Sequence, residues 1–316
     1  MPNSHLKLSA NQRGTIINMN GQILPIEEAK VSVFDRSFLF GDSLYEVIRT
    51  YHAQPFRLKE HLIRLEKSAI LCQMKLSQSI EEYEREIRRS IQSFQSRPGR
   101  RNEDVYVRLI VSRGAGKIGF GLKNLETPSL YVIIVEPISL FPNRSFQEGT
   151  RLQISSRMRN PPLALDPAMK SGNYLNSLLA YLSAAEHSYD DAVLLDAQGF
   201  VSEGTTFNIF YVRRGMVATP PNDVGILDGI TRRMIINLCV KKGIPCREVR
   251  FPKQYLYEAD EVFITGSVKE IIPVTFLDGK KIGNGKPGPI TTRIKQAFDA
   301  EIESEMIGSA NTTQRV

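Results

Sequence analysis

The stretch Lys170-Ser171-Gly172-Asn173-Tyr174-Leu175-Asn176 carries the strongest indication of fold and chemistry in this chain. It places a lysine directly before a predicted helix, after an apolar, proline-rich approach that restricts the backbone. Further along, the chain reads Ser202-Glu203-Gly204, which predicts a strand or hairpin that carries a carboxylate. The chemistry open to this lysine depends on which other groups the rest of the chain supplies.

A lysine that forms a Schiff base must be held close to a carbonyl group and kept partly deprotonated by burial or by positive neighbours. Lys170 follows a restricted apolar segment, Pro161 to Pro167, and fits that requirement. A buried Glu203 needs a cationic or donating partner, which a protonated ring nitrogen provides. Gly204 favours close approach of another group. Taken singly, a lysine before a helix is more often a solvated surface residue, and a hairpin glutamate is more often exposed.

Three other features suit a phosphate group. Asp228-Gly229-Ile230-Thr231 predicts a helix start whose amide groups point outward. Thr265-Gly266-Ser267 ends a predicted strand with backbone and hydroxyl donors. Arg64, one turn after His61 on a predicted helix, is a long cation of the kind that often reaches a phosphate. A bare helix cap, a strand end and a solvated arginine are each commoner than a phosphate site, so only the combination is informative.

Composition narrows the class of protein. A chain of 316 residues with 41% hydrophobic content predicts two domains, each with its own core. No apolar run has the length of a membrane span, and the start of the chain lacks the pattern of a signal peptide, so we expect a soluble, cytoplasmic protein. The net charge of +7 is spread along the chain without a nucleic-acid-binding motif. The scattered cysteines and histidines predict neither disulfides nor a metal site; they are Cys72, Cys239, Cys246, His5, His52, His61 and His187.

Hydrophobic periodicity predicts a mixed α/β fold in both halves. We expect a smaller α/β domain at 14–136, a linker at 137–146 and a larger domain with the lysine at 147–305. In the first half the predicted strands are 15–17, 22–24, 31–34, the part of the segment 38–51 that follows Gly41, 105–111 and 130–138, and the helices are 57–76 and 80–94. In the second half the predicted strands are 151–159, 192–195, 200–203, 205–212, 216–218, 260–266 and 271–277. The predicted helices are 174–187, a helix that is opened by 228–231 and runs to 242, and 289–303.

The strand from Val105 to Val111 alternates strictly, with Val105, Val107, Leu109 and Val111 on one face. Tyr106 and Arg108 therefore share the other face, where they are able to line a polar pocket.

In their order and spacing from about Thr15 to Phe298, these motifs resemble the class IV pyridoxal-phosphate transaminases. This is the fold type IV group of branched-chain amino-acid aminotransferase, D-amino-acid aminotransferase and 4-amino-4-deoxychorismate lyase. The motifs are Phe40-Gly41-Asp42, Arg64, Lys170 with Asn173-Tyr174-Leu175, Val201-Ser202-Glu203-Gly204 with Asn208, Gly229-Ile230-Thr231-Arg232, and Asp260-Glu261-Val262-Phe263 leading to Thr265-Gly266-Ser267.

The resemblance implies a role for each matching residue. Lys170 forms the Schiff base with pyridoxal 5'-phosphate and moves the proton, Glu203 holds the pyridine nitrogen, and Tyr174 contacts the phenolic oxygen of the ring. The implied phosphate contacts are Arg64, the backbone of Ile230 and Thr231, and Ser267. The remaining implied cofactor contacts are Thr206, Asn208, Gly229 and Thr265. The resemblance also implies two α/β domains with the cofactor between them, in a homodimer.

The segments that are expected to bind the substrate resemble different subfamilies. Tyr106-Val107-Arg108 and Arg49 match the branched-chain enzymes, in which they help to bind substrate carboxylates. The segment Phe40 to Val47 is closer to the D-amino-acid and lyase versions, but the Arg-x-His carboxylate trap of the D-amino-acid enzymes is absent from Arg113 to Phe120. The expected substrate contacts are Phe40, Tyr45, Arg49, Tyr106, Arg108, Ser267 and Val268.

We therefore expect amino transfer from an aliphatic or branched-chain L-amino acid to a 2-oxo acid such as 2-oxoglutarate. The alternatives are a D-amino-acid aminotransferase, a 4-amino-4-deoxychorismate lyase and a catalytically inactive binding homologue. The sequence leaves open the donor and acceptor, the stereochemistry, the partition between transfer and elimination, and any assembly beyond a dimer.

Overall fold

The structure is a computed structural model that describes residues 14–138 and 143–313. The chain divides into two compact units, Met1–Ser139 and Leu140–Val316. Residues 1–13, expected to be polar and loose, and residues 139–142 of the expected linker lie outside the described residues. Within the described ranges, no helix is both long and apolar enough to cross a membrane.

The first unit is built on a six-stranded antiparallel sheet in the order β2-β1-β6-β5-β3-β4. Its strands are β1 (Ile16–Met19), β2 (Gln22–Leu24), β3 (Ser43–Tyr51), β4 (Gln54–Pro55), β5 (Val105–Ser112) and β6 (Leu130–Pro137). Its helices are α1 (Arg36–Phe40), α2 (Leu58–Leu71) and α3 (Ile80–Gln95). Helices α2 and α3 pack on the sheet face that carries the alternating apolar residues of β5, so this face is the core of the unit.

Local signals explain where the two long helices of this unit begin and end. Ser79 Oγ accepts from the amide of Glu82, and Glu82 Oε2 accepts from the amide of Ser79, a capping box that starts α3. Helix α2 ends at Leu71, earlier than predicted, because Gln73 adopts a φ of 52° and leaves the helical region.

The prediction of a strand at Val31 to Phe34 was wrong, because these residues form no strand. The strand predicted after Gly41 is confirmed as β3, and Phe38, ahead of that glycine, lies in helix α1. The Asp35 carboxylate accepts from the amide of Ser37 at 2.8 Å and starts the helix, and Gly41 ends it with a φ of 68°. These two caps outweigh the apolar residues that suggested extended chain.

The second unit is built on a mixed nine-stranded sheet, in the order β12-β11-β10-β13-β14-β7-β8-β9 with β15 beside β14. Its strands are β7 (Thr150–Met158), β8 (Asp191–Leu195), β9 (Val201–Gly204), β10 (Asn208–Arg213), β11 (Met216–Thr219), β12 (Cys246–Glu248), β13 (Glu261–Gly266), β14 (Glu270–Leu277) and β15 (Lys280–Lys281). Its helices are α4 (Asn143–Glu148), α5 (Pro162–Leu165), α6 (Leu175–Glu186), α7 (Ile230–Lys241), α8 (Gln254–Tyr257) and α9 (Pro289–Thr313).

The register of this sheet brings several candidate site residues together at one end of the neighbouring strands β10 and β13. Strands β10 and β13 are antiparallel, and Asn208, the first residue of β10, pairs with Thr265 near the end of β13. The turn before β10 and the turn after β13 therefore lie side by side. The strands behind them are almost wholly buried, as expected for the continuous apolar runs in their sequences.

Candidate active site

Lys170 lies in the loop between α5 and α6, and the loop is shaped by Asp166. The Asp166 carboxylate accepts from the amide of Ala168 at 2.9 Å, and its carbonyl accepts from the amide of Met169 at 3.0 Å. Lys170 is half-buried and sits before Tyr174, which caps α6. The sequence thus places the lysine where it was expected, at the entrance to a helix.

Glu203 is a buried carboxylate with partners on both of its oxygens. It lies in the buried strand β9 and is only 4% exposed. Arg159, which directly follows β7, contacts Glu203 Oε1 from Nε at 2.9 Å and from Nη2 at 2.8 Å. The other oxygen, Oε2, accepts from the amide of Leu227 at 3.0 Å and from Asn208 Nδ2 at 3.3 Å.

The charge state of Glu203 is set by opposing influences. Burial disfavours the carboxylate and raises the pKa of Glu203 above its ordinary value, although the positive charges of Arg159 and Lys170 and the Leu227 amide act in the opposite direction. Lys170 is therefore close enough to Glu203 to influence its ionisation. The structure brings Lys170 and Glu203 into one electrostatic environment.

Asn208 links Glu203 to the start of α7. Its Nδ2 also donates to the carbonyl of Leu227 at 3.0 Å, and Gly229, two residues further on, is the N-cap of α7. A Cβ on Gly229 would lie 2.0 Å from Asn208 Oδ1, so this close approach requires a glycine. The position of the helix start and the position of the Glu203 partner are thus fixed together.

The start of α7 and the end of β13 offer donors with little competition. No side chain caps the first turn of α7 in the described part of the chain, and Ile230 and Thr231 are buried there. Thr265 is 1% exposed, and its Oγ1 has no hydrogen-bond partner among the described residues. Buried hydroxyl groups normally form a hydrogen bond, so the Thr265 hydroxyl is available to a polar ligand.

The other candidates of this unit surround the same edge of the sheet. Thr206 is exposed in the turn before β10, and Ser267 and Val268 are half-buried in the turn after β13. A Cβ on Gly266 would lie 3.6 Å from the carbonyl oxygen of Thr206, so the two turns are within van der Waals reach. The second unit therefore gathers its predicted site residues into one region.

Arg64 is held by a buried ion pair in the first unit. Its Nε and Nη2 contact the two oxygens of Glu46 at 2.8 Å each, and His61 Nδ1 lies 2.8 Å from Glu46 Oε2. Burial alone would raise the pKa of Glu46, but the charge and hydrogen bonds of Arg64, with those of His61, hold it well below its usual range. The guanidinium of Arg64 is consequently fixed in orientation.

The substrate candidates of the first unit form a group of aromatic and cationic side chains. In the register of β3 and β5, Tyr45 and Arg49 share one sheet face with Tyr106 and Arg108, whereas Glu46, the partner of Arg64, points to the opposite face. Arg108 lies over the Tyr45 ring at 4.4 Å and donates to the Tyr106 hydroxyl at 3.3 Å. Apart from them, Phe40 packs against Phe120.

The sequence analysis did not predict that Arg159 pairs with Glu203 or that Asn176 positions Arg159. Asn176, in the first turn of α6, accepts from Arg159 Nη1 at 3.4 Å and donates from Nδ2 to the carbonyl of Met158 at 2.9 Å. An arginine after a strand has no distinctive signature, since only the parallel pairing of β7 with β8 and the β8–β9 hairpin bring it to Glu203. The only available signal was the need of a buried glutamate for a cationic partner.

Comparison with known proteins identifies the family of this chain. The sequence model described as "Amino-transferase class IV" matches residues 43–277. A putative branched-chain-amino-acid aminotransferase of Methanocaldococcus jannaschii is 39% identical over 282 residues, covering 89% of this chain and 94% of that protein. The branched-chain-amino-acid aminotransferase of Escherichia coli K12 is 37% identical over 300 residues, covering 91% and 93%. A D-alanine aminotransferase of Bacillus licheniformis is 33% identical over 286 residues, covering 90% and 96%.

Solved structures agree with the sequence relatives. The crystal structure of the Escherichia coli branched-chain amino acid aminotransferase superposes with a TM-score of 0.83 and 36% identity, covering 90% of this chain and 93% of that chain. The branched-chain amino acid aminotransferase from Thermobaculum terrenum, solved in its PLP-form (holo-form), gives a TM-score of 0.80 and 28% identity, covering 91% and 93%.

Proposed function

Because the chain belongs to the class IV aminotransferases, we propose that it transfers the amino group of a branched-chain or other aliphatic L-amino acid to a 2-oxo acid such as 2-oxoglutarate, with pyridoxal 5'-phosphate as cofactor. Relatives at 37–39% identity over most of the chain carry the branched-chain name. The Thermobaculum terrenum structure is a PLP-form. The observation that carries the proposal is the ion pair between the half-buried Arg159 and the buried Glu203, within electrostatic reach of Lys170.

The residues of the second unit fit this cofactor. The start of α7 and the unpartnered Thr265 hydroxyl are suited to the phosphate group, because helix amides and hydroxyls are typical phosphate donors. Glu203 is suited to the ring nitrogen, because burial raises the pKa of its carboxyl group and a hydrogen bond from a charged ring N–H would compensate the buried carboxylate. Lys170, at the entrance to α6, is suited to the carbonyl carbon. Arg64 and Ser267 complete the proposed phosphate contacts, and Tyr174, Thr206 and Asn208 complete the proposed ring contacts.

When bound, the cofactor supplies an electron sink for the negative charge that develops at the substrate Cα. The chain supplies the proton handling. Glu203 would accept a hydrogen bond from the protonated ring nitrogen and so keep the proton there, and Arg159 orients Glu203 and favours its ionised form. Lys170 would act as the base that removes the Cα proton and returns it, since a neutral amine held beside the reacting carbon is a competent general base.

The substrate side rests on Tyr106 and Arg108, which are joined by a hydrogen bond and placed over the Tyr45 ring. A guanidinium fixed between two tyrosines is suited to a carboxylate, and the aromatic and apolar neighbours are suited to an aliphatic side chain. Phe40, Arg49, Ser267 and Val268 are the other proposed substrate contacts.

A D-amino-acid specificity is the second candidate, because a D-alanine aminotransferase is 33% identical over 90% of the chain. The test is a donor screen with L-leucine, L-isoleucine, L-valine and D-alanine, each with 2-oxoglutarate, in which glutamate is measured together with its configuration. We expect the three L-amino acids to be the best donors. A dominant D-alanine rate would move the protein to the second candidate, and pyruvate with 4-aminobenzoate from 4-amino-4-deoxychorismate would make it a lyase.

We further propose a cytoplasmic homodimer. Large apolar side chains stand exposed around α1, with Phe38 72% and Phe120 80% exposed, and Arg36 Nη1 ties this helix to the carbonyl of Gly119 at 3.0 Å. Large exposed apolar side chains of this kind are typical of an interface, and a second copy is the partner that the family resemblance implies. Light scattering should give the mass of a dimer for the native chain, and Phe38→Asp with Phe120→Asp should give a monomer.

A further inference from the structure

Two turns at one edge of the second sheet are tied together by a single carboxylate. Asp191, the first residue of β8, is 5% exposed and accepts with both oxygens. Lys269 Nζ donates to Asp191 Oδ2 at 2.8 Å, and Thr205 Oγ1 donates to Asp191 Oδ1 at 2.5 Å. Lys269 belongs to the turn after β13, and Thr205 belongs to the turn before β10.

We propose that Lys269 is a positioning residue: its ion pair with Asp191 holds the turn that carries Ser267 and Val268 against the turn that carries Thr206. The proposal rests on the proposed function, in which Ser267, Val268 and Thr206 contact cofactor and substrate. Lys269 itself touches neither, and it acts through the geometry of the two turns.

The ion pair is sheltered enough to exert this control. The Lys269 and Asp191 side chains are 19% and 8% exposed, so water screens their attraction far less than it screens a surface pair. An isolated carboxylate as buried as Asp191 would be costly, which makes the lysine its necessary counter-charge. The turn therefore loses an anchor, and the carboxylate loses its partner, when Lys269 is neutralised.

A second contact reinforces the first. Lys269 Nζ lies 4.7 Å from the centroid of the Phe207 ring, a cation–π arrangement. The same ring packs so closely on Gly204 that a Cβ there would lie 2.0 Å from Phe207 Cζ. Gly204 directly follows Glu203 in β9. The contacts of Lys269 thus reach the strand that carries Glu203 as well as the turn that carries Thr206.

Glu270 adopts a φ of 53°, the left-handed region that residues with a Cβ rarely occupy. A backbone conformation of this kind persists only where the surroundings enforce it. The Lys269 anchor lies next to Glu270, so we expect the whole turn from Gly266 to Glu270 to loosen when the anchor is removed.

The experiment compares the native enzyme with Lys269→Met, Lys269→Arg, Asp191→Asn and the double variant that combines Lys269→Met with Asp191→Asn. Lys241→Met is the matched control. Lys241 forms an exposed ion pair with Glu301 at the far end of α7, so the control removes the same charge away from the site. Steady-state kinetics give kcat and KM for the amino donor and for 2-oxoglutarate. Hydrogen exchange of 264–270 and dissociation of pyridoxal phosphate from the holoenzyme are measured without turnover.

We expect Lys269→Met to raise both KM values about tenfold, a loss of about 1.4 kcal/mol, with kcat within about threefold of native. Exchange of 264–270 and cofactor loss should both accelerate, Lys269→Arg should restore most of the KM, and the effects of Lys269→Met and Asp191→Asn should not add. Unchanged KM and exchange in Lys269→Met, with an active native enzyme, would overturn the inference. An inactive native enzyme with accelerated exchange in Lys269→Met would refute the proposed function and leave the anchor intact.

Discussion

Two guanidinium nitrogens of Arg159 contact the same oxygen of Glu203, Oε1. The distance is 2.9 Å from Nε and 2.8 Å from Nη2. This geometry leaves Oε2 to Asn208 and to the Leu227 amide. The carboxylate is thus oriented from three directions before any ligand arrives. Preorganised dipoles of this kind act without reorganisation during the reaction, which is the usual source of large catalytic effects.

Lys170→Ala should abolish covalent attachment of the cofactor, because no other amine is expected to form the Schiff base. Reduction of the holoenzyme with borohydride, followed by mass spectrometry of the peptides, checks this. The native chain should carry the cofactor on Lys170, and Lys241→Ala should behave as the native chain does. Fixation of the cofactor in Lys170→Ala would show that the lysine has been assigned wrongly.

Glu203→Ala should retain the cofactor but lose turnover by at least about 100-fold, because the proton on the ring nitrogen loses its partner. Cofactor content is measured by absorbance, and turnover is measured with L-leucine and 2-oxoglutarate. Glu258→Ala is the control, since Glu258 is an exposed glutamate of the same unit that pairs with Arg213. A native rate in Glu203→Ala would exclude the proposed role.

Arg159→Met should make the stability of the apoprotein more dependent on pH. The folded-state pKa of Glu203 is already raised, so its contribution is fully present below the ordinary value near 4.5 and is lost as the pH rises through the folded value. Removing the guanidinium raises that pKa further and should deepen the loss. The measurement is the free energy of unfolding in urea, determined for the native chain and for Arg159→Met from pH 4.5 upward. An equal dependence of that free energy on pH in the two proteins would contradict the prediction.

Glu46→Gln should destabilise the protein by about 3–5 kcal/mol, because it leaves the buried Arg64 without its counter-charge. The pKa of Glu46 is lowered in the folded state, so its contribution is present above the ordinary value near 4.5 and falls as the pH falls below it. The free energy of unfolding in urea should therefore fall less steeply with decreasing pH in the variant than in the native chain. Glu84→Gln, which removes one partner of an exposed pair with Arg88, should change little.

Gly229→Ala should displace Asn208, because the new Cβ would lie 2.0 Å from Asn208 Oδ1. Since Asn208 contacts Glu203 and the Leu227 carbonyl, cofactor affinity and turnover should fall together. Equilibrium dialysis of pyridoxal phosphate and steady-state kinetics measure the two effects. Gly121→Ala, where the nearest atom is 3.7 Å away, is the matched control and should be neutral.

Local sequence rules predicted those parts of the fold that depend on neighbours along the chain. The alternation of β5 placed Val107 in the core and Arg108 on the opposite face, and the structure confirms both. The rules failed at Val31 to Phe34, which form no strand and lead into helix α1, whose ends are set by the Asp35 cap and the left-handed Gly41. A cap is a local signal too, but the apolar pattern beside it was stronger.

By itself, the sequence determined the family, the mixed α/β class and the lysine and glutamate motifs, because these depend on residue types at fixed spacings within single elements. Only the tertiary structure decided that Arg159 is the partner of Glu203, that Glu46 orients Arg64, and that Lys269 joins two turns through Asp191. Each of these pairs connects segments that are distant along the chain and meet only after the strands have paired. Their charges carry no periodic pattern, so the register of the sheet and the packing of helices on it select the partners.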